Sequence, residues 1–160
     1  MAAQFKLSNP IHFLALGFGS GLAPIAPGTF GTLAALPLVA VLLWLPVTVY
    51  VVGTALALIT GVWICAKAAE DIGVHDHSAI VWDEIAGFLV AALPLALGLE
   101  FVNLLVDVAI LFALFRIFDA LKPWPISWLD NNLGGGLGIM VDDVAAGGAA
   151  AAVFLMLLLF

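Results

Sequence analysis

The feature that most constrains this chain is a run of 35 residues, 32–66, that contains no Asp, Glu, Lys or Arg. At about 1.5 Å per residue, a single helix of that length would exceed the ~30 Å hydrocarbon core of a bilayer. Pro46 lies near the middle of the run, so we expect a helical hairpin that turns around residues 44–48. Lys67 then marks the return of the chain to the side of the membrane on which it began.

The rest of the sequence is similarly apolar. Of the 160 residues, 65% are hydrophobic and 9% are charged, and the mean hydropathy is +1.26. Because a soluble domain has roughly 45–50% apolar residues, most of this chain is expected to lie in lipid. We predict an all-α fold, in which residues 1–160 form one polytopic integral membrane bundle. Its helices would be short and broken by Gly and Pro, with a site at the cytoplasmic face.

Charge and cysteine content exclude several classes of protein. The net charge of −7 argues against nucleic-acid binding, which needs a basic face to displace counterions from phosphates. With Cys65 as the one cysteine, neither a disulfide framework nor a Cys/His metal site can form. The N-terminus lacks the pattern of a cleaved signal peptide, so we expect the first segment to be retained.

Residues 17–31 read G-F-G-S-G-L-A-P-I-A-P-G-T-F-G. Because Gly and Pro disfavour the interior of a helix, this stretch is predicted to be irregular backbone. Within a membrane, such backbone is tolerated where protein or a wet cavity satisfies its polar groups. The stretch is either a tight turn between helices or a cradle for an anionic group. The cradle would use the backbone at Gly19 and Gly28 and the hydroxyls of Ser20 and Thr29.

Two further apolar blocks, residues 85–99 and 101–115, are together too long for one upright span and too short for two ideal ones. If they form a short hairpin, all four cations of the chain share one side of the membrane. The positive-inside rule favours this arrangement and makes that side cytoplasmic. Residues 144–160 are expected to form the last helix. The four cations are Lys6, Lys67, Arg116 and Lys122.

Residues 81–87 and 141–147 share the pattern V-x-D-x-x-A-G, and each is expected to open an apolar helix. A carboxylate is favourable at a helix start, and Ala-Gly one turn later allows two helix backbones to approach closely. We therefore predict that the two helices pack at their Ala-Gly faces. The packing would bring together Asp83, Glu84, Asp142 and Asp143. Solvated helix caps are the alternative interpretation of these acids.

Four neighbouring carboxylates repel each other unless a cation compensates their charge. Oxygen ligands without usable sulfur or clustered imidazole are typical of Mg²⁺, which often binds one or two carboxylates together with substrate phosphate. The sequence therefore indicates Mg²⁺ as the cofactor.

The chain carries four motifs in order, at residues 17–31, 74–87, 115–126 and 135–147. Together they resemble the phosphatidylglycerophosphatase A family of bacterial inner membranes. The resemblance extends from about Ser8 to the last helix. It implies a Mg²⁺-dependent phosphatase that converts phosphatidylglycerophosphate to phosphatidylglycerol in phospholipid biosynthesis. The implied location is the inner membrane, with several crossings and the site facing the cytoplasm. Its partners would be the bilayer and a phospholipid substrate, and a homo-oligomer is left open.

The expected roles follow from this resemblance and from residue chemistry. Asp83, Glu84, Asp142 and Asp143 are expected to hold Mg²⁺, and Asp119 either completes the metal shell or orients water. Attack by water is the expected mechanism, because the motifs of cysteine, aspartyl and histidine phosphatase nucleophiles are absent.

Cations and imidazoles complete the predicted site. Lys122 is expected to bind phosphate, because Pro123 ends its helix and leaves the lysine at the surface. Arg116 either binds phosphate or anchors the topology. His77 or His75 is either a general acid for the leaving alcohol or a hydrogen-bonded structural residue.

One polar stripe favours a different class of protein. Glu100, Asn103 and Asp107 are predicted to share a helical face, and an ionisable residue inside the membrane is a functional candidate. The alternative function is a small carrier or channel that binds an ion at broken helices.

Overall fold

The computed structural model describes residues 5–74 and 77–159, and every regular element in these ranges is a helix. The all-α prediction is therefore confirmed. Two helices, α3 (Val47–Ile72) and α8 (Gly135–Leu157), are long and apolar enough to cross a membrane, while the full number of crossings stays a prediction. The elements are α1 (Pro10–Ala15), a 3-10 segment (Gly17–Leu22), α2 (Pro27–Leu43), α3 (Val47–Ile72), α4 (Trp82–Ala91), α5 (Leu93–Ala96), α6 (Leu104–Leu121), α7 (Ile126–Asn132) and α8 (Gly135–Leu157).

The predicted break near Pro46 is confirmed. Helix α2 ends at Leu43 and α3 begins at Val47, so the turn occupies the three residues between them. Pro46 directly precedes α3, where its fixed φ of −53° is compatible with a helix start. By contrast, Pro37 lies within α2 without ending it.

The two apolar blocks after residue 84 form separate helices that run in opposite directions. Helix α4 is followed by the short α5 and an irregular segment, after which α6 returns. The ion pair between Arg116, near the end of α6, and Glu84, at the start of α4, shows the reversal. The predicted reversal of the chain between the two apolar blocks is therefore confirmed. Helix α6 continues past the apolar block to Leu121, as expected if Pro123 ends it, and so carries Asp119.

Close backbone packing joins α4 to α8, as the shared V-x-D-x-x-A-G pattern predicts. A Cβ atom on Gly87 would lie 2.7 Å from the carbonyl oxygen of Asp143, and one on Gly147 would collide with the carbonyl oxygen of Gly87. Both positions need glycine because a larger side chain would separate the helices. Helix α4 is otherwise deeply buried, with Ile85 and Phe88 fully enclosed.

The predicted start of the last helix is wrong. Helix α8 begins at Gly135 rather than near residue 144, so Asp142 and Asp143 lie two turns inside it and do not cap it. Gly136 explains why a glycine-rich start is tolerated, since a Cβ there would collide with the carbonyl oxygen of Val62 in α3. The tight packing between helices compensates for the low helix propensity of glycine.

The irregular segment is shorter than predicted. Phe18 and Gly19 adopt left-handed backbone angles, with φ of 61° and 97°, as expected for a broken segment. Helix α2 nevertheless begins at Pro27, because proline suits the first position of a helix. Gly28 and Thr29 therefore belong to the first turn of α2, and not to a loop.

Candidate active site

An acidic cavity of about 370 Å³ lies among α4, α6 and α8, beside the N-terminus of α2. Its lining, counted over the described residues, includes six carboxylates and two cationic side chains, a formal excess of four negative charges if all are ionised. Such an excess is unfavourable unless cations or protons compensate it. The charged lining residues are Asp83, Glu84, Asp119, Asp130, Asp142, Asp143, Arg116 and Lys122.

Three of these acids form a tight cluster. One carboxylate oxygen each from Glu84, Asp119 and Asp143 lies within 4.8 Å of the other two, and the residues come from α4, α6 and α8 respectively. Glu84 is 9% exposed and Asp143 is 3% exposed. Asp119 is thus part of the group, whereas Asp83 and Asp142, predicted as metal ligands, line the cavity outside this cluster.

Arg116 connects two members of the cluster. Its Nη1 donates to Oε2 of Glu84 and lies 2.6 Å from Oδ2 of Asp119. Gly28 allows this arrangement, because a Cβ there would collide with the Glu84 carboxylate and lie 3.3 Å from Nη1 of Arg116. The structure therefore gives Gly28 a steric role beside the cluster.

Thr32 is a site residue that the sequence analysis missed. Its fully buried hydroxyl lies 3.2 Å from Oε2 of Glu84 and 3.1 Å from the carbonyl oxygen of Gly28, so it can donate to either. The sequence feature that could have identified Thr32 is its hydroxyl, placed about one helical turn after Gly28. Ser78 also lines the cavity and was not predicted.

Lys122 joins two acids at the other side of the cavity. Its Nζ donates to Oδ1 of Asp130 at 2.6 Å and to Oδ2 of Asp142 at 2.7 Å. As predicted, α6 ends here: Lys122 has a left-handed φ of 42° and Pro123 follows. Burial lowers the pKa of Lys122, but the two hydrogen bonds outweigh it and raise the pKa above its ordinary value. Lys122 therefore stays charged at neutral pH.

One of the four residues of the predicted anion cradle, Gly28, lines the described part of the cavity. The Ser20 hydroxyl donates to the carbonyl oxygen of Gly17 at 2.8 Å and so closes a local turn. Among the described residues, those that line the cavity include Gly28 but not Gly19, Ser20 or Thr29. The turn interpretation thus accounts for the contact made by Ser20.

His77 also lies elsewhere. Its Nδ1 accepts a hydrogen bond from the Ala79 amide at 3.1 Å, and its ring packs edge-on against Phe5 with centroids 5.2 Å apart. It is absent from the described cavity lining, so its contacts fit the structural alternative. His75, the other candidate, lies outside the described residues.

The predicted shared helical face of Glu100, Asn103 and Asp107 is wrong, because α6 begins at Leu104 and the first two residues precede it. Both oxygens of the buried Asp107 accept backbone hydrogen bonds, from Phe101 at 2.9 Å and Val102 at 3.1 Å. Asn103 caps α6 by accepting from the Val106 amide. Asp107 is also about 18 Å from Asp119 along the helix axis. These contacts order the start of α6.

The cavity fits a hard divalent cation. Its three clustered donors are all carboxylate oxygens, which is the ligand type that such cations prefer. In the part of the chain that the structure describes, Oδ1 of Asp142 is buried in this region without a hydrogen-bond partner. An uncompensated buried oxygen is costly, and a cation or its bound water would satisfy it.

Comparison with known proteins identifies the family of the chain. The sequence matches the family described as "Phosphatidylglycerophosphatase A" over residues 13–158. It is 47% identical to phosphatidylglycerophosphatase A of Escherichia coli (strain K12) over 144 residues, which covers 90% of this chain and 81% of the relative. It is 48% identical to phosphatidylglycerophosphatase A of Haemophilus influenzae over 145 residues, which covers 89% of this chain and 85% of the relative. No solved structure matches the chain.

Proposed function

The chain belongs to the phosphatidylglycerophosphatase A family, and we propose that it hydrolyses the terminal phosphate monoester of phosphatidylglycerophosphate. The products are phosphatidylglycerol and inorganic phosphate, which gives the enzyme a place in phospholipid biosynthesis. The observation that carries this proposal is the cluster of Glu84, Asp119 and Asp143 in a cavity that also holds Arg116 and Lys122. Carboxylates that could bind a metal ion thus lie beside positively charged side chains that could bind the substrate phosphate.

Mg²⁺ is the cation that we propose for the Glu84–Asp119–Asp143 cluster. It favours oxygen ligands, and it commonly binds few carboxylates and leaves positions for water and substrate phosphate. When bound, it would supply Lewis acidity toward the phosphoryl group and a lowered pKa for bound water. The excess negative charge of the cavity lining supports this assignment.

Arg116 and Lys122 are the proposed phosphate-binding residues. Among the described residues, Arg116 forms two ion pairs, both through Nη1. A guanidinium carries five N–H donors, so its other donors can bind phosphate oxygens. Lys122 carries three donors and is held at the cavity by Asp130 and Asp142. Positive groups in these positions would stabilise charge on the transferring phosphoryl group.

Asp83 is our candidate for orienting the attacking water. It lines the cavity in the first turn of α4, next in sequence to the cluster member Glu84, and its Oδ1 accepts the Glu84 amide at 2.9 Å. A carboxylate held beside the three clustered acids could accept a proton from the attacking water.

The enzyme associates with membranes, as its two candidate spans and its lipid phosphatase family indicate. We propose a multi-pass protein of the bacterial inner membrane with the acidic cavity at the cytoplasmic face. Trp124 and Trp128, on the segment between α6 and α8, are 81% and 55% exposed. Exposed tryptophans are typical of the membrane interface, which supports a surface position for this end of the bundle.

Phosphate release by the purified protein tests the proposed function. We expect hydrolysis of phosphatidylglycerophosphate with Mg²⁺ and none after chelation. Asp143→Asn should lower the rate by about 100-fold or more, because it removes a ligand of the proposed metal. Glu100→Gln makes the same chemical change at an exposed residue outside the cavity and should behave as wild type. Chelator-resistant hydrolysis, or full activity of Asp143→Asn, would overturn the metal assignment.

A further inference from the structure

A second concave surface, here called the α2–α6 groove, lies between those two helices. It has a volume of about 380 Å³ and is lined by four residues of α2, from Leu36 to Leu43, and three of α6, from Leu104 to Val108. All seven of the described lining side chains are hydrocarbons. Leu105 is 81% exposed, so the groove opens at the surface of the bundle.

The groove and the acidic cavity lie along the same pair of helices. At the cavity, Gly28 of α2 is beside Arg116 of α6. From Gly28, the groove residues of α2 begin about 12 Å along the helix axis and end about 22 Å along it. On α6, the corresponding distances back from Arg116 are about 12 and 18 Å. Both helices therefore lead from the proposed phosphate site into the groove.

This spacing matches the dimensions of a membrane lipid. One leaflet contributes about 15 Å to the ~30 Å hydrocarbon core, and the phosphate of a lipid lies outside that core. We propose that the α2–α6 groove binds an acyl chain of the same lipid molecule whose phosphate monoester occupies the acidic cavity. The inference rests on the proposed function and adds to it a subsite for the apolar part of the substrate.

A lipid chain suits the groove better than a helix does. Helix–helix contacts in membranes favour small side chains that let backbones approach, but Ala40 is the one small residue among the seven that line this groove. The remaining six are Leu or Val, which offer methyl groups to a flexible chain. The volume also falls within the roughly 300–1,000 Å³ typical of small-molecule sites.

Chain-length selectivity tests the groove. We would measure kcat/KM for dioleoyl and dihexanoyl phosphatidylglycerophosphate and compare their ratio between variants. Ala40→Phe narrows the groove, and Ala55→Phe places the same bulk on an exposed position of α3 outside it. The dioleoyl to dihexanoyl ratio should fall about tenfold in Ala40→Phe, which corresponds to the loss of about two buried methylenes. Ala55→Phe should keep the wild-type ratio.

Equal ratios in the two variants would overturn the groove assignment. Photolabelling gives a second result that does not depend on turnover, using phosphatidylglycerophosphate with a diazirine at mid-chain. We expect labels within residues 36–43 and 104–108, and much weaker labelling by phosphatidylcholine with the same tail. Labels elsewhere, or equal labelling by both lipids, would contradict a substrate subsite. Labelling of the groove without any phosphate release would instead refute the proposed function alone.

Discussion

Arg116 and Glu84, 32 positions apart in the sequence, form an ion pair at the wall of the acidic cavity. The contact joins the end of α6 to the start of α4, as expected for two helices that run in opposite directions. It also places one positive charge within the Glu84–Asp119–Asp143 cluster, because the same Nη1 contacts Asp119. One guanidinium cannot neutralise three carboxylates, so the cluster still favours a cation.

Replacement of Arg116 should affect both stability and activity. Arg116→Gln leaves the buried Glu84 carboxylate without its partner, which we expect to cost about 3 kcal/mol of unfolding free energy. Arg116→Lys keeps the charge but loses the planar donor geometry, so activity should fall while much of the stability remains. Thermal unfolding in detergent, combined with phosphate release, separates the two effects. Equal stability of Arg116→Gln and wild type would contradict a structural role for the pair.

Glycine at position 147 should be essential for the packing of α4 against α8. Gly147→Ala places a methyl group against the backbone carbonyl of Gly87, and we expect a loss of about 1–3 kcal/mol in stability. Gly148→Ala is the matched control, because a Cβ at that position meets no described atom of another helix within 4 Å. The control should be neutral or slightly stabilising, since alanine favours a helix over glycine. Unfolding curves of the two variants provide the comparison.

Lys122 should contribute mainly to substrate binding. Lys122→Gln removes a charge from the cavity and should raise KM for phosphatidylglycerophosphate by about tenfold or more. Lys67→Gln removes a lysine that pairs with Glu70 and Asp71, outside the described cavity lining, and should leave KM unchanged. Steady-state kinetics at saturating Mg²⁺ measure both effects. An equal response of the two variants would argue against direct phosphate binding.

Thr32 should act by positioning Glu84. Thr32→Val preserves shape but removes the hydroxyl that lies 3.2 Å from Oε2 of Glu84, whereas Thr32→Ser keeps the donor. Groups that hold metal ligands in place typically contribute 10–100-fold to metal affinity, so the Mg²⁺ concentration for half-maximal activity should rise about tenfold in Thr32→Val. Thr32→Ser should restore most of the wild-type value. If Thr32→Ser does not restore the wild-type value, the effect of Thr32→Val comes from altered packing and not from the lost hydroxyl.

The acids of the site could be predicted from sequence, but their grouping could not. Asp142 and Asp143 are neighbours on α8, and successive residues of a helix point about 100° apart. Asp143 therefore joins the cluster while Asp142 pairs with Lys122. The rotation of α8 depends on its packing against α3 and α4, which the local sequence does not specify.

Helix boundaries, too, could be predicted only where they depend on the local sequence. The break at Pro46 was predictable because proline acts locally. The start of α8 at Gly135 was not, because it depends on the contact between Gly136 and the backbone of Val62, far away in the sequence. The contact of Thr32 with Glu84 is likewise long-range, joining residues 52 positions apart.

The central claim is that Glu84, Asp119 and Asp143 hold the divalent cation. Isothermal titration of purified protein with Mg²⁺ tests it directly, using Asp119→Asn and Asp130→Asn. Both acids line the acidic cavity, but only Asp119 belongs to the cluster. The account predicts that Asp119→Asn weakens Mg²⁺ binding by about 100-fold, while Asp130→Asn stays within about threefold of wild type. Equal affinities for Asp119→Asn and wild type would contradict it.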